Sequence, residues 1–472
     1  MSRIKTTLKH LLHQNDIGQF VFIGIFGVFL FVPSLSLAEG PKETNDFSSS
    51  EQEPSNSSHV FDWGVHFQTT EITQAYPSFH GINGPQSLNS HAQNKETMSA
   101  TVFSGVRMPW STSETTTEIY VDPELNQGYG LSHVLGVAGF PNGEAQKAGE
   151  PYPILNWARY FVRQTFGFGG AQENIISDEN QLQGVRDVAR LTMTIGKISI
   201  PDIFDNNNYS HDPRTQFMNW SLIDAGAYDY VADQKGYTDG IVFDLNQREW
   251  ALRYGYFFAP KTPNSRFLNE SISGEGGHNI ELEERYKVFE QPGDLRLLGF
   301  ANMANAGSYK EILENPALDL DIAATRRERV KYGFVVNEEQ SFTDDLGFFS
   351  RVSWNDGQEE ISSYTDIDES LSGGISLKGT HWGFSEDTVG LAGVVNGLSQ
   401  AHRAFLKAGG EGILIGDGFL NYASEHIVET YYNWMIFKPV ATTFDYQFID
   451  NPGYNQSRGP VHVFAIRAHV EF

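Results

Sequence analysis

Apolar and polar residues alternate with a period of two along most of the chain beyond residue 60. The last segment shows it plainly. From Phe464 every second residue (Phe464, Ile466, Ala468, Val470, Phe472) is apolar, while Arg467, His469 and Glu471 fill the positions between. Successive side chains of a strand point to opposite faces, so this segment carries one greasy face and one ionic face. Comparable segments fall near 63–72, 97–107, 115–123, 157–166, 189–199, 240–246, 248–257 and 281–289. Others fall near 294–303, 329–336, 346–354, 370–378, 387–395, 424–434, 440–448 and 461–472. They predict about sixteen strands, most of them long enough to cross a thin bilayer when tilted, which takes about 9–11 residues.

The connections between these segments sort by parity. After even-numbered strands they are brief: Met108 to Glu114, Gln247 alone, Gln291-Pro292-Gly293, and Ile436 to Pro439, with 167–188 as the exception. After odd-numbered strands most are long: 73–96, 124–156, 200–239, 258–280, 304–328 and 396–423, with 355–369 and 449–460 more modest. A soluble sandwich has no reason to segregate its loops in this way. The pattern predicts an all-β fold, a transmembrane antiparallel β-barrel with long extracellular loops and short periplasmic turns. A final strand ending at Phe472 also predicts a handle for the barrel-assembly machinery.

The same alternation assigns faces. Ile119 and Val121 oppose Glu118, Tyr120 and Asp122; Leu191, Met193 and Ile195 oppose Arg190, Thr192 and Thr194. Trp250, Leu252, Tyr254 and Tyr256 oppose Glu249 and Arg253, and Phe444, Tyr446 and Phe448 oppose Thr443, Asp445 and Gln447. A charge on the lipid face costs about 2–4 kcal/mol at the midplane, so each charged set faces the lumen. Arg159, Arg163 and Arg190 then stand on neighbouring strands. Opposed by Glu118 and Asp122, they are expected to set a transverse field across the pore.

Composition adds the compartment. Arg3, Lys5 and Lys9 precede an apolar run from Phe20 to Leu30, and Ser36-Leu37-Ala38 supplies small residues, so residues 1–38 read as a signal peptide. Residues 39–60, rich in Ser, Asn, Glu and Pro, read as a disordered lead-in, and 61–472 as the barrel. No later stretch reaches the length of a transmembrane helix, so membrane crossing falls to strands. The chain has no cysteine, which removes disulfides, thiolate nucleophiles and cysteine-ligated metals. A formal charge of −26 argues against nucleic acid as a partner.

No motif calls for a cofactor or a metal. His211-Asp212 and His278 lack metal-ligand spacing, Asp205 to Arg214 lacks the turn glycine of a calcium loop, and no G-x-S-x-G elbow occurs. What the long loops do offer is a sugar-binding kit of amides, carboxylates, guanidinium and aromatic rings. Glu144 in loop 124–156 and Asp212 and Arg214 in loop 200–239 join the wall residues Glu118, Asp122, Arg159, Arg163 and Arg190 as candidates to line a constriction.

Several motifs resemble a known family. Gly136-Val137-Ala138-Gly139-Phe140-Pro141-Asn142-Gly143-Glu144, Asp202-Ile203-Phe204-Asp205 and His211-Asp212-Pro213-Arg214 are similar to segments of the carbohydrate-selective porins of the OprB type. So are Asn219-Trp220-Ser221-Leu222-Ile223-Asp224-Ala225-Gly226 and Tyr454-Asn455-Gln456-Ser457-Arg458-Gly459-Pro460-Val461. The resemblance runs from roughly 61 to 472. It implies a sixteen-stranded barrel in the outer membrane of a Gram-negative cell, surrounded by lipid and admitting monosaccharides and similar neutral solutes passively. It also implies inward-folded loops that narrow the channel. Three other readings compete: a general cation-preferring porin, suggested by the acidic surplus, a plugged surface barrel, and an outer-membrane hydrolase, for which no nucleophile–base pair is signalled. The sequence leaves monomer and homotrimer equally open.

Overall fold

The computed structural model describes residues 61–271, 274–363 and 365–472. The signal peptide expected at 1–38 and the lead-in at 39–60 lie outside the described residues. Eighteen strands are present among the described residues: β1 (Asp62–Tyr76), β2 (Gln93–Arg107), β3 (Thr115–Gly128), β4 (Glu150–Gly167), β5 (Gln172–Ile175), β6 (Gly184–Asp187), β7 (Arg190–Ile198), β8 (Thr238–Asn246) and β9 (Trp250–Phe258). They continue as β10 (Gly276–Val288), β11 (Gln291–Ala306), β12 (Arg327–Ser341), β13 (Leu346–Asn355), β14 (Glu369–Gly379), β15 (Phe384–Gly397), β16 (Glu425–Phe437), β17 (Val440–Asp450) and β18 (Val461–Glu471).

All but β5 and β6 pair with their neighbours into one closed antiparallel barrel. That makes sixteen strands, each overlapping a segment that alternation had marked. The ring closes where β1 meets β18, in a register running from Gln68 against Glu471 to Ala75 against Phe464. Two backbone hydrogen bonds extend the seam, from the Phe67 N–H to the Phe472 carbonyl at 2.7 Å and back at 2.9 Å. Closure leaves no strand edge unpaired, which is what allows a sheet to sit in hydrocarbon.

The outward face is the apolar one. Cross-strand register links Leu191, Leu245, Leu252, Leu282, Leu297, Val336, Val352, Leu371 and Val395 in one unbroken row over nine strands. Aromatic residues mark the two rims: Trp63, Trp110, Trp250, Phe384 and Phe437 at the short-turn end, Tyr152, Trp157, Tyr254, Tyr332 and Trp354 at the long-loop end. Such girdles place amphipathic rings at the two membrane–water boundaries.

Several strands run longer than the sequence reading, among them β2 from Gln93, β4 from Glu150, β10 from Gly276 and β12 to Ser341, and two further boundaries differ for a physical reason. Gln291-Pro292-Gly293 belongs to β11, and the turn is Phe289-Glu290, both with positive φ (51° and 64°). Glycine and proline marked the turn by habit of composition, whereas the register Val288↔Gln291 forces a two-residue hairpin on its neighbours. Strand β3 also runs past Pro123 to Gly128, because the proline sits at a bulge where the register shifts between Asp122 and Pro123. Glu124, expected in a loop, is therefore part of the wall.

The core lies inside the barrel. Loops 129–149 and 199–237 fold inward and bury Val137, Phe140, Phe204, Phe217, Trp220, Leu222 and Tyr228 against inward-facing wall residues such as Phe257, Phe300, Phe349 and Tyr431. Phe140 stacks on Trp220 with ring centroids 5.2 Å apart and planes 9° from parallel. A dry loop core of this kind holds the loops at fixed positions in the lumen.

Candidate channel constriction

Inward-facing wall residues fix the two loops by accepting from, or donating to, their backbones. Glu425 accepts from Ala138 N–H (3.1 Å), Gly139 N–H (2.8 Å) and Gly453 N–H (2.8 Å). Glu429 accepts from Met218 N–H (2.5 Å) and Asn219 N–H (3.0 Å). Arg351 donates to the carbonyls of Leu222 (2.8 Å) and Ser210 (2.6 Å) and pairs with Asp205 at 3.1 Å. Arg467 donates to the carbonyls of Pro213 and Gln216 at 2.7 and 2.8 Å. Gly136, at φ +85°, turns loop 129–149 hard against the backbone of Leu88, where a side chain has no room. Buried backbone groups of a loop must find partners, and here the barrel wall supplies them.

Loops held in this way converge on a charged cluster. Arg214 reaches Glu124 on β3 at 3.1 Å and Glu144 at 3.2 Å. Lys147 pairs with Glu144 at 3.2 Å and lies 4.0 Å from Glu124, and the Tyr237 hydroxyl donates to Glu124 at 3.0 Å. Asp212 Oδ1 accepts from the Arg214 N–H at 3.0 Å. Burial works to raise the pKa of Glu144, but Arg214 and Lys147 outweigh it and hold the group down at about 2. Asp212 is likewise held below the ordinary range, burial again opposing and Arg214 prevailing. The cluster therefore stays ionised, a fixed array of alternating charge.

Beside it, Arg159 forms a two-pronged pair with Asp202, both contacts 2.6 Å. Asp122 accepts from the Asn180 amide at 2.9 Å. Arg159 Nη1, Asp122 Oδ1 and Asn180 Oδ1 are buried and carry no hydrogen bond. These three polar atoms thus lie beside the ion pairs, buried and without a direct protein partner.

The residues nominated from sequence separate into two groups. Glu144, Asp212, Arg214, Arg159 and Asp122 come together at this level. Glu118, Arg163 and Arg190 lie nearer the short-turn end, where the link 168–189 folds into the lumen as the β5–β6 hairpin. Arg190 pairs there with Glu173 at 2.9 Å, and Arg107 with Glu118 at 3.0 Å. Leu182 of the hairpin packs where the wall carries Gly64, and a Cβ there would lie 2.9 Å from its Cδ2. The transverse field expected across the pore does not form. Asp122 is the direct register partner of Arg159, and Glu118 of Arg163, so these charges sit side by side on one wall. Consecutive strands are adjacent in a meander, and opposite sides of a barrel are half the sequence apart. Glu124, Lys147, Glu425, Glu429 and Arg351 were missed. Inward parity on segments 346–354 and 424–434 already pointed to the last three.

A closed sixteen-stranded sheet with an apolar outside, a charged inside and loops narrowing the lumen defines the porin class. The model of the carbohydrate-selective porin, OprB family, matches residues 115–472. OprB of Pseudomonas putida in its high-pH structure superposes with a TM-score of 0.66 at 13% identity, over 87% of this chain and 94% of that one. The outer membrane channel DcaP of Acinetobacter baumannii gives a TM-score of 0.46 at 10% identity, over 88% of this chain and 99% of that one. None of the curated proteins matches. The chain belongs to the OprB family of carbohydrate-selective porins.

Proposed function

We propose that this protein is a passive outer-membrane channel for monosaccharides and similar neutral polyols, with loops 129–149 and 199–237 forming the selective constriction from the extracellular side. The observation that carries the reading is the Glu124–Glu144–Lys147–Arg214 cluster, locked in place by wall hydrogen bonds beside the unpaired atoms of Arg159, Asp122 and Asn180. The partly exposed members at the edge of this array, Lys147, Asp202 and Asp212, offer hydroxyl groups both a donor and acceptors at fixed spacing. It presents little net charge to attract a counter-ion. Binding there must remain weak enough for solute to leave, so no turnover, metal or cofactor enters the account.

Planar-bilayer recording tests it. Glucose should reduce the single-channel current in a saturable way, and Arg214→Gln should weaken that block by about tenfold, the loss of one charge-assisted contact of about 1.5 kcal/mol. An unselective cation-preferring pore, the alternative favoured by the −26 charge, would show cation preference with no sugar block. A plugged structural barrel would show no conductance.

A further inference from the structure

The β5–β6 hairpin encloses a second polar space, away from the constriction. Between the hairpin and strands β2 to β4 lies a cavity of about 290 Å³. That is at the small end for a ligand pocket, about 300–1,000 Å³, and suits one sugar ring rather than a chain. Hydroxyls of Ser113, Thr116 and Thr165 line it, with the guanidinium groups of Arg107, Arg163 and Arg186.

The three arginines are not equivalent. Arg107 is neutralised by Asp62 at 2.5 Å and Glu118 at 3.0 Å, and Arg186 by Glu173 at 2.8 Å. Arg163 makes one hydrogen bond, from Nη1 to the Asn180 carbonyl at 2.8 Å. Its guanidinium lies 5.0 Å from the ring of Tyr120 and 5.2 Å from that of Phe161. Among the described residues it has no ion pair. The carboxylate paired to it in register, Glu118, spends one oxygen on Arg107 and the other on the Tyr120 hydroxyl, at 3.0 Å. A guanidinium has five N–H donors, so most of this group's capacity is unused. Arg107, Arg163, Arg186 and Arg190 together outnumber Asp62, Glu118 and Glu173 by one charge, so in a chain of charge −26 this hydroxyl-lined cavity keeps a positive excess that holds an anion rather than repelling it.

We infer that this cavity is an exit station for sugar carboxylates, monosaccharide-sized aldonates or uronates, whose carboxylate meets Arg163 and whose hydroxyls meet the Ser and Thr side chains. The station widens the solute class beyond neutral sugars. It rests on the channel reading only for the route by which the ligand arrives.

Current block of the full-length protein in planar bilayers tests it, with glucuronate, glucose and acetate added from either side. Glucuronate should half-block at a concentration about tenfold below glucose, the worth of one charge-assisted hydrogen bond. Arg163→Gln should bring glucuronate to the level of glucose and leave glucose itself unchanged. Should that variant fail to fold, Arg163→Lys keeps the charge, loses the planar fork, and should weaken glucuronate severalfold. Acetate, a carboxylate without hydroxyls, should block neither protein. Equal block by glucuronate and glucose in the unaltered channel, equal block by acetate and glucuronate, or a variant that shifts both sugars alike would each overturn the inference. Block by glucuronate alone, abolished by Arg163→Gln, would keep the exit station and remove the neutral-sugar reading instead.

Discussion

At the scale of single residues, the lumen uses carboxylates in two ways that depend on their neighbours. Glu144, between Arg214 and Lys147, stays charged at any physiological pH. Glu179, at the tip of the β5–β6 hairpin, is the reverse case. Burial pushes its carboxyl up, Asp212 and Glu471 push in the same direction, and Arg214 only partly opposes, so it titrates at about 8. Its folded pKa is raised above the ordinary value, so the native chain holds this proton more tightly than the unfolded chain does. Its contribution to stability is therefore lost as pH rises from the ordinary carboxylate range through about 8. The same titration adds one negative charge to the passage. We expect the cation-to-anion permeability ratio, read from reversal potentials in a salt gradient, to climb between pH 7 and pH 9. In Glu179→Gln that climb should shrink, leaving only what Asp224, a buried loop carboxyl likewise pushed up to about 8, contributes. A flat profile in the unaltered protein would remove Glu179 from the conduction path.

At the scale of elements, the channel is narrowed from both ends, and the β5–β6 hairpin is the narrowing at the short-turn end. It is bound to the wall through side chains rather than by strand pairing: Asn180 to Asp122 and to Arg163, the Leu182 N–H to the Tyr120 hydroxyl at 3.3 Å, His66 to Ser177 at 2.8 Å, Arg107 to the Gln183 carbonyl at 3.0 Å, and Arg190 to Glu173 at 2.9 Å and to the Asp187 carbonyl at 3.0 Å. The barrel register around it is continuous without it, since β4 pairs directly with β7 from Tyr160–Lys197 to Gly167–Arg190. Replacing Gln172–Asp187 by a short turn should leave a heat-modifiable, folded barrel and raise its conductance, measured in the same bilayers. Unfolding of that variant would show the hairpin to be structural instead. These elements also show what the sequence could and could not reveal. The strands were legible because lipid and water impose the period of two on every one of them. The hairpin registered only as an exception to loop parity, because two four-residue strands carry too little alternation to stand out. Glu124 was hidden by Pro123, which reads as a strand end unless a bulge accommodates it. The hold of Glu425, Glu429 and Arg351 on loops 129–149 and 199–237 depends on backbone N–H and carbonyl groups more than a hundred residues away, and no local pattern encodes such a partner.

At the scale of the whole molecule, the barrel is turned inside out relative to a soluble protein, and one pair of adjacent residues shows how sharply. Arg296 on β11 points inward, is buried, and stands 3.2 Å from Glu283 and 3.4 Å from Glu339. Leu297, the next residue, points outward in the row Leu282–Leu297–Val336 and is 45% exposed. Successive residues thus meet a network of opposite charges and a hydrocarbon wall. A charge is tolerated on one side because carboxylates wait for it, and has no partner on the other. Leu297→Arg should therefore cost about 2–4 kcal/mol near the middle of the wall, seen as a lower denaturant midpoint for protein folded into lipid vesicles. The loss should shrink in detergent micelles, where water reaches the outer wall more easily, and single-channel conductance of the folded fraction should not change. An equal loss in micelles and vesicles would mean that Leu297 faces protein rather than lipid, and the outer row would then be an interface.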